Sequence, residues 1–331
     1  LKNHNPKFVV ENVEIRRCRV GGNTNSLKIG TETLGDFRNI LIHDCIVSPR
    51  RNSAVWPLSR DVPGLDRTVP SGKGGIVLAT VDGGTIDGVI VRDIVMEGVE
   101  TPIYIRHDHR RTPGVCGTDN SIGGIEVLVV DGGVLENVIV RNVRMGRGII
   151  APIFVRMGAR RDPEPGKESV LRHVLIEDVK MSEPSVSLTA SSVTGVPGRR
   201  PSDIVIRNVD LLYRGGCERD AVDVPREGEK AYPSPYNVFL SALPAYGFFV
   251  RHADGVRLEN VKLRVADASE ERPPIVTDDA TVVEKGVEKS VNDKRLQREF
   301  SRTFKALFSG VEKTKDMTAV AKSADLDRIK S

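Results

Sequence analysis

The chain has 331 residues, and Lys+Arg 49 against Asp+Glu 45 leaves a formal net charge of +4. That balance is mild for the length and the basic residues are scattered, which argues against nucleic acid as a partner. No stretch approaches the ~18 consecutive apolar residues that span a bilayer, so no membrane partner is expected either.

The chain opens at Leu1, almost inside a repeat. We expect an N-terminal part of the natural protein to precede it, together with any signal peptide. In chain order the repeat core reads NVEIRRCRV from Asn12, NILIHDCIV from Asn39, GVIVRDIVM from Gly88 and NVIVRNVRM from Asn137. It continues as HVLIEDVKM from His173, DIVIRNVDL from Asp203 and GVRLENVKL from Gly255. The third and fourth copies sit in longer duplicated segments, GGIVLATVDGGTIDGVIVRDIVM from Gly74 and GGIEVLVVDGGVLENVIVRNVRM from Gly123. Repeats of this length mark a stacked architecture, in which each unit buries its apolar face against its neighbours.

Within each core the apolar residues alternate, as in a strand with one buried face. The parity then slips by one at Arg17, Asp44, Asp93, Asn142, Asp178, Asn208 and Asn260. Two short strands joined by one bending residue give this pattern, and Asn and Asp best tolerate the left-handed backbone of such a bend. The copies are about 27, 49, 49, 36, 30 and 52 residues apart. A coil of roughly 25 residues fits if each long interval holds two coils, the second visible as PIYIR and PIFVR. The expected fold is therefore all-β, a right-handed parallel β-helix of the pectate-lyase-like solenoid kind, with ten or eleven coils over residues 8–283.

Cys18 and Cys45 share a column with Ile94, Val143, Val179, Val209 and Val261, and read as buried ladder residues. Cys116 and Cys217 lie in loops without partners at metal-ligand spacing, so no metal and no cofactor are expected. Two stretches, Ser48–Gly72 with the single tryptophan Trp56 and Tyr213–Gly247, read as long loops walling a binding face. Residues 284–331 are expected to form a helical cap and tail. There Leu296, Phe300, Phe304 and Leu307 fall at helical spacing and would cover the open end of the sheet.

One face should carry the chemistry. With apolar residues inward, the strands SLKIG, GIVLAT, PIYIR, GIEVLV, PIFVR, SVTG and GFFVR turn outward Lys28, Val77, Ala79, Tyr104, Arg106, Glu126 and Leu128. Phe154, Arg156, Thr194, Phe249 and Arg251 follow. An aromatic and then an arginine recur as Tyr104–Arg106, Phe154–Arg156 and Phe249–Arg251. Aromatic faces pack on sugar rings and arginines fork onto uronate carboxylates, which suits an acidic polysaccharide. The alternative is that the aromatics fill gaps between coils and the arginines are solvated edge charges. Asp108, flanked by His107 and His109, and Glu126 are the nearest carboxylates for acid–base work. Asp82 and Asp131 read as turn residues, Glu32 as either groove or turn, and Asp278–Asp279 as a turn closing the last coil.

Asn25–Cys45, Gly74–Ile105, Ser191–Gly198 and Val224–Gly255 resemble segments of the pectin-degrading polygalacturonase family, glycoside hydrolase family 28. The last two segments are similar to a bacterial branch acting on pectin and rhamnogalacturonan. The resemblance implies a monomeric hydrolase of galacturonate-containing polysaccharide, secreted or periplasmic, with catalytic aspartates upstream of these segments. Where that family carries histidine-glycine this chain has Thr24 and Asn25, and where it carries arginine-x-lysine this chain has Val77 and Ala79. A catalytically silent β-helix that binds acidic polysaccharide is the alternative. A polysaccharide lyase on the same scaffold is a further one.

Overall fold

The computed structural model describes residues 5–21, 25–29, 34–48, 72–80, 84–96, 99–108, 125–130, 133–146, 149, 151–158, 168–185, 187–218 and 242–291. In chain order the strands are β1 (Val9–Arg16), β2 (Arg19–Gly21), β3 (Asn25–Ile29), β4 (Asp36–Ser48) and β5 (Gly72–Thr80). Then come β6 (Thr85–Met96), β7 (Val99–Asp108), β8 (Ile125–Val130), β9 (Gly133–Met145) and β10 (Ile153–Gly158). The last are β11 (Ser169–Met181), β12 (Ser191–Thr194), β13 (Ser202–Gly215), β14 (Phe248–Asp267) and β15 (Ile275–Val291). Among the described residues there is no helix.

The strands form two parallel ladders. The long ladder runs β1–β4–β6–β9–β11–β13–β14, and the short one runs β3–β5–β7–β8–β10–β12–β14. The two meet in β14, whose first part pairs with β12 and whose second part pairs with β13. β15 pairs along both parts of β14.

The repeat core accounts for the long ladder. Val89, Val138, Val174, Ile204 and Val256 stack in one inward column, and Val91, Val140, Ile176, Ile206 and Leu258 in the next, all at most 1% exposed. Burying each such side chain contributes roughly 1.5–3 kcal/mol. The Asn/Asp column does bend: Arg17, Asp44, Asp93, Asn142, Asp178, Asn208 and Asn260 have φ between 48° and 56°. A second bend opens each core, at Asn12, Asn39, Gly88, Asn137, His173, Asp203 and Gly255, with φ between 51° and 68°. Two left-handed residues five positions apart turn each long strand around the core. Their side chains also bond between rungs, Asn39 Nδ2 donating to Asn12 Oδ1 at 3.2 Å and Asn260 Nδ2 to Asn208 Oδ1 at 2.9 Å.

Arg17 holds the bend without a short polar side chain. A left-handed residue with a Cβ costs roughly 1–2 kcal/mol, which asparagine partly relieves by local hydrogen bonding. Arg17→Asn should therefore raise stability by roughly 0.5–1 kcal/mol, within the range of single stabilising changes. The midpoint of urea unfolding measures this, and an unchanged or lower midpoint contradicts it.

Three expectations need correction. Successive long strands pair directly, as Phe37↔Ile86, Thr85↔Val134 and Arg207↔Glu259 show, so the long intervals do not hold two coils each. Between β6 and β9 the chain adds one short-ladder strand, since β7 and β8 both lie there. PIYIR lies in β7, inserted between β5 and β8, whereas PIFVR lies in β10, the single short-ladder strand between β9 and β11. The last rung also runs past the boundary at 283, since β15 continues to Val291. Finally, Asp278 and Asp279 are not a closing turn. They lie inside β15, where Asp279, at φ 45°, is bonded to His252 and Arg200. The helix expected around Leu296, Phe300, Phe304 and Leu307 lies outside the described residues, as do Trp56, Cys116, Asp82, Asp131 and Glu32.

Candidate functional site

Two rows of in-register residues cross the short ladder. The first runs Lys28, Val77, Tyr104, Glu126, Phe154, Ser192, Phe249 and Val276. The second runs Ala79, Arg106, Leu128, Arg156, Thr194, Arg251 and Asp278. The expected aromatic–arginine pairs therefore do align: Tyr104, Phe154 and Phe249 share one row, and Arg106, Arg156 and Arg251 the other. Period-2 alternation explains this, because parallel pairing keeps equal positions on one face.

The aromatic row is not an open platform. Phe154 is 0% exposed and Phe249 2%, and they pack with Val77, Leu128, Ala190 and Leu243 in a second, smaller core. Alternation put both rings on the outer face correctly, but a further layer covers that face. Of the two readings of these phenylalanines, gap filling is the one realised. Between them, Ser192 Oγ is buried and has no hydrogen-bond partner among the described residues.

What holds the cover down is a buried ion pair that the sequence reading missed. Arg272 Nε donates to Glu270 Oε1 and Nη2 to Oε2, both at 2.8 Å, with side chains only 2% and 0% exposed. Arg272 Nη1 also donates to the carbonyls of Leu188 (2.7 Å), Leu243 (3.1 Å) and Ala245 (3.2 Å). One guanidinium thus pins both segments that lie over the phenylalanines. Nearby, Tyr213 and Tyr246 meet edge-on at 6.1 Å, and burial pushes the Tyr246 hydroxyl up to about 12.

The arginine row is partly closed as well. Arg156 is 6% exposed and Nη1 donates to Thr194 Oγ1 at 3.1 Å. Arg251 pairs with Asp278 of β15 at 2.8 Å. These are not solvated edge charges. Lys28, next to Val77, is half-buried.

The two carboxylate candidates occupy different register positions. Glu126 stands opposite Tyr104, whereas Asp108 stands opposite Val130, four positions further along. At ~3.3 Å rise per residue and ~4.8 Å between strands, their backbones are about 14 Å apart. An inverting pair needs its carboxyl groups ~6.5–9.5 Å apart. His107 stands opposite Val129, in the same row as Met157, and both of these neighbours belong to the main core. It is thus one position out of phase with Arg106 and Asp108. His109 lies outside the described residues.

The long ladder has titratable clusters of its own. His43, only 7% exposed, has Nε2 at 2.9 Å from Glu14 Oε1 and Nδ1 at 2.6 Å from Asp44 Oδ2. A neutral imidazole carries one N–H and cannot donate to two carboxylates, so the two contacts favour the imidazolium form. His43 is raised above its usual 6.5, first by the bond to Glu14 and then by that to Asp44, with Arg92 opposing. Glu14 is lowered from its usual 4.5, first by the bond from His43 and further by Arg16. The histidine contribution is complete below 6.5 and is lost as pH rises through the raised value. The glutamate contribution is complete above 4.5 and is lost as pH falls through the lowered value. The tie from β1 to β4 should therefore be tightest between about 4.5 and 6.5 and weaken on both sides. Hydrogen exchange of the β1 amides against pH reads this, once corrected for intrinsic exchange rates. A profile that His43→Gln leaves unchanged contradicts it.

The long ladder's outer face also bears a shallow groove of about 440 Å³, with Ile139, Leu175 and Val205 at its floor. Its charged rim is largely paired with itself, His173 to Asp203 at 2.8 Å and Arg257 to Asp203 at 3.0 Å. No cluster of three or more His, Cys, Asp or Glu that could hold a metal occurs among the described residues.

No family model, no curated protein and no solved structure matches the chain.

Proposed function

We propose that the chain is a right-handed parallel β-helix of the polygalacturonase type. It takes galacturonate-containing polysaccharide on the outer face of the short ladder and hydrolyses it by general acid/base chemistry. The observation that carries this reading is the arginine row. Arg106, Arg156 and Arg251 occupy one register row and are separated by Leu128 and Thr194 on the strands between. Cations on every second strand, about 10 Å apart, suit a linear polyanion, and each guanidinium can fork onto a carboxylate. The two segments most similar to the bacterial branch also come together, since Ser191–Thr194 pairs with Phe248–Arg251. Hydrolysis of this kind requires no cofactor.

A catalytically silent binder is the second reading. Val77 and Ala79 at the arginine-x-lysine places favour it. Mass spectrometry of products after incubation with polygalacturonate and rhamnogalacturonan separates the readings. Saturated oligomers with new reducing ends support hydrolysis, and binding without products supports the silent binder. Unsaturated ends indicate a lyase. Neither binding nor products contradicts the proposal.

Arg251→Ala should weaken binding of galacturonate oligomers roughly 10-fold or more, the scale of one charge-assisted hydrogen bond. Asp278→Asn should tighten it, because Asp278 competes with the ligand for Arg251. Isothermal titration of both variants tests the row, and equal affinities in variants and parent would refute it.

A further inference from the structure

Cys45 lies in β4, and Cys18, in the bend between β1 and β2, falls at the matching position of the neighbouring rung. Arg16 pairs with His43 and Arg19 with Ile46, and Ile46 N donates to the Cys18 carbonyl at 2.9 Å. Neighbouring strands lie ~4.8 Å apart, within the ~4.4–6.8 Å between the Cα atoms of bonded cystines. Both residues pack on the main core, so both Cβ atoms point the same way. Each thiol donates to the carbonyl two residues earlier, Cys18 Sγ to Arg16 at 3.3 Å and Cys45 Sγ to His43 at 3.1 Å. Their exposure differs in a useful way: Cys45 is buried and Cys18 only half-buried.

We propose that Cys18 and Cys45 are a redox pair that closes to a disulfide by exchange with a small-molecule disulfide and staples the bend between β1 and β2 to β4. The half-buried Cys18 thiolate attacks one sulfur of the reagent. A Cys18–reagent bond forms, the reagent's S–S bond breaks, and one thiolate leaves. The Cys45 thiolate then attacks Cys18 Sγ, the protein disulfide forms, and the second thiolate leaves. The two protons of the cysteines end on the two released thiols, and the two electrons have passed to the reagent. Burial pushes the Cys45 thiol up, so closure is the slower step and quickens as pH rises.

The strand geometry favours this pair over any other. Cys45 is enclosed by Cys18 on one side and Ile94 on the other, so no second thiol adjoins it in the ladder. Closure asks for a small approach of the two Cβ atoms.

The test uses the full chain, oxidised glutathione and alkylation of remaining thiols under native conditions, followed by non-reducing digestion and mass spectrometry. The expected product is one peptide pair joining Cys18 to Cys45, lighter by two hydrogens than the reduced pair. Cys45→Ser should stop at a glutathione adduct on Cys18, and Cys18→Ser should leave Cys45 unreacted until the protein is unfolded. Both serine variants should keep a cooperative thermal transition, which shows that a missing cross-link is not a missing fold. In the oxidised parent the β1 amides should exchange about tenfold more slowly. Recovery of both thiols free, a stable glutathione adduct on the parent, or a cross-link of either cysteine to Cys116 or Cys217 would overturn the proposal.

Discussion

Arg272→Met is expected to destabilise the protein by about 3–5 kcal/mol, the scale for removing one partner of a buried ion pair. Methionine fills much of the same volume, so the loss is electrostatic. Glu270, with a side chain 0% exposed, would keep its charge without its counter-ion. The carbonyls of Leu188, Leu243 and Ala245 would lose their donor. The double variant Arg272→Met with Glu270→Leu should recover most of that loss, because two apolar groups can replace a buried pair at little cost. Urea unfolding of parent, single and double variants measures this. A single variant no worse than the double would mean that the pair does not secure the cover. The functional consequence follows from position. Ala190 and Leu243 close over Phe154 and Phe249, so the single variant should also expose the rings beside the arginine row.

Gly195→Ala is expected to be of similar size, at or above about 3 kcal/mol, the upper end for overpacking. A Cβ at this position would meet the carbonyl oxygens of Arg199 at 2.3 Å and His252 at 2.5 Å, and Pro201 Cδ at 2.9 Å. Two of these atoms are backbone and cannot turn aside. Gly195 N also donates to the Arg251 carbonyl at 2.9 Å. The chain directly after Thr194 would thus be pushed off β14, and Arg156 and Arg251 would lose their alignment. Gly198→Ala is the control: it has positive φ but nothing within 4 Å of a Cβ, so only the backbone term of roughly 1–2 kcal/mol applies. Thermal unfolding of the two variants should separate them clearly, and equal losses would contradict the steric account.

Much of the long ladder was legible in the sequence. The apolar alternation and its slip at Asp44, Asp93, Asn142, Asp178, Asn208 and Asn260 follow from two physical facts, the period of a strand and the tolerance of short polar residues for left-handed backbone. The second bend was equally visible at Asn12, Asn39, Gly88, Asn137, His173, Asp203 and Gly255, but those residues read as the start of a motif and not as a hinge. Spacing misled where loop and rung cannot be told apart by length. The 49-residue intervals look like doubled coils, yet their ends pair directly.

The site was legible in register but not in depth. Alternation states which face Phe154 and Phe249 occupy. It cannot state what lies over that face, because Ala190, Leu243 and the Arg272–Glu270 pair come from irregular segments far along the chain. Asp278 was read as a turn residue for the same reason, since its role depends on β15 lying beside β14. Asp108 and Glu126 fall four register positions apart on neighbouring strands, an offset that the sequence between β7 and β8 does not reveal.

The most direct test of polyanion recognition is the affinity of the parent protein for de-esterified polygalacturonate compared with the fully methyl-esterified polymer of equal length, each at low and at high salt. The account predicts tight binding of the carboxylate form that weakens as salt rises, and little binding of the ester. Equal affinity for the two polymers would mean that the arginine row does not read carboxylates, and the proposed polysaccharide face would be wrong.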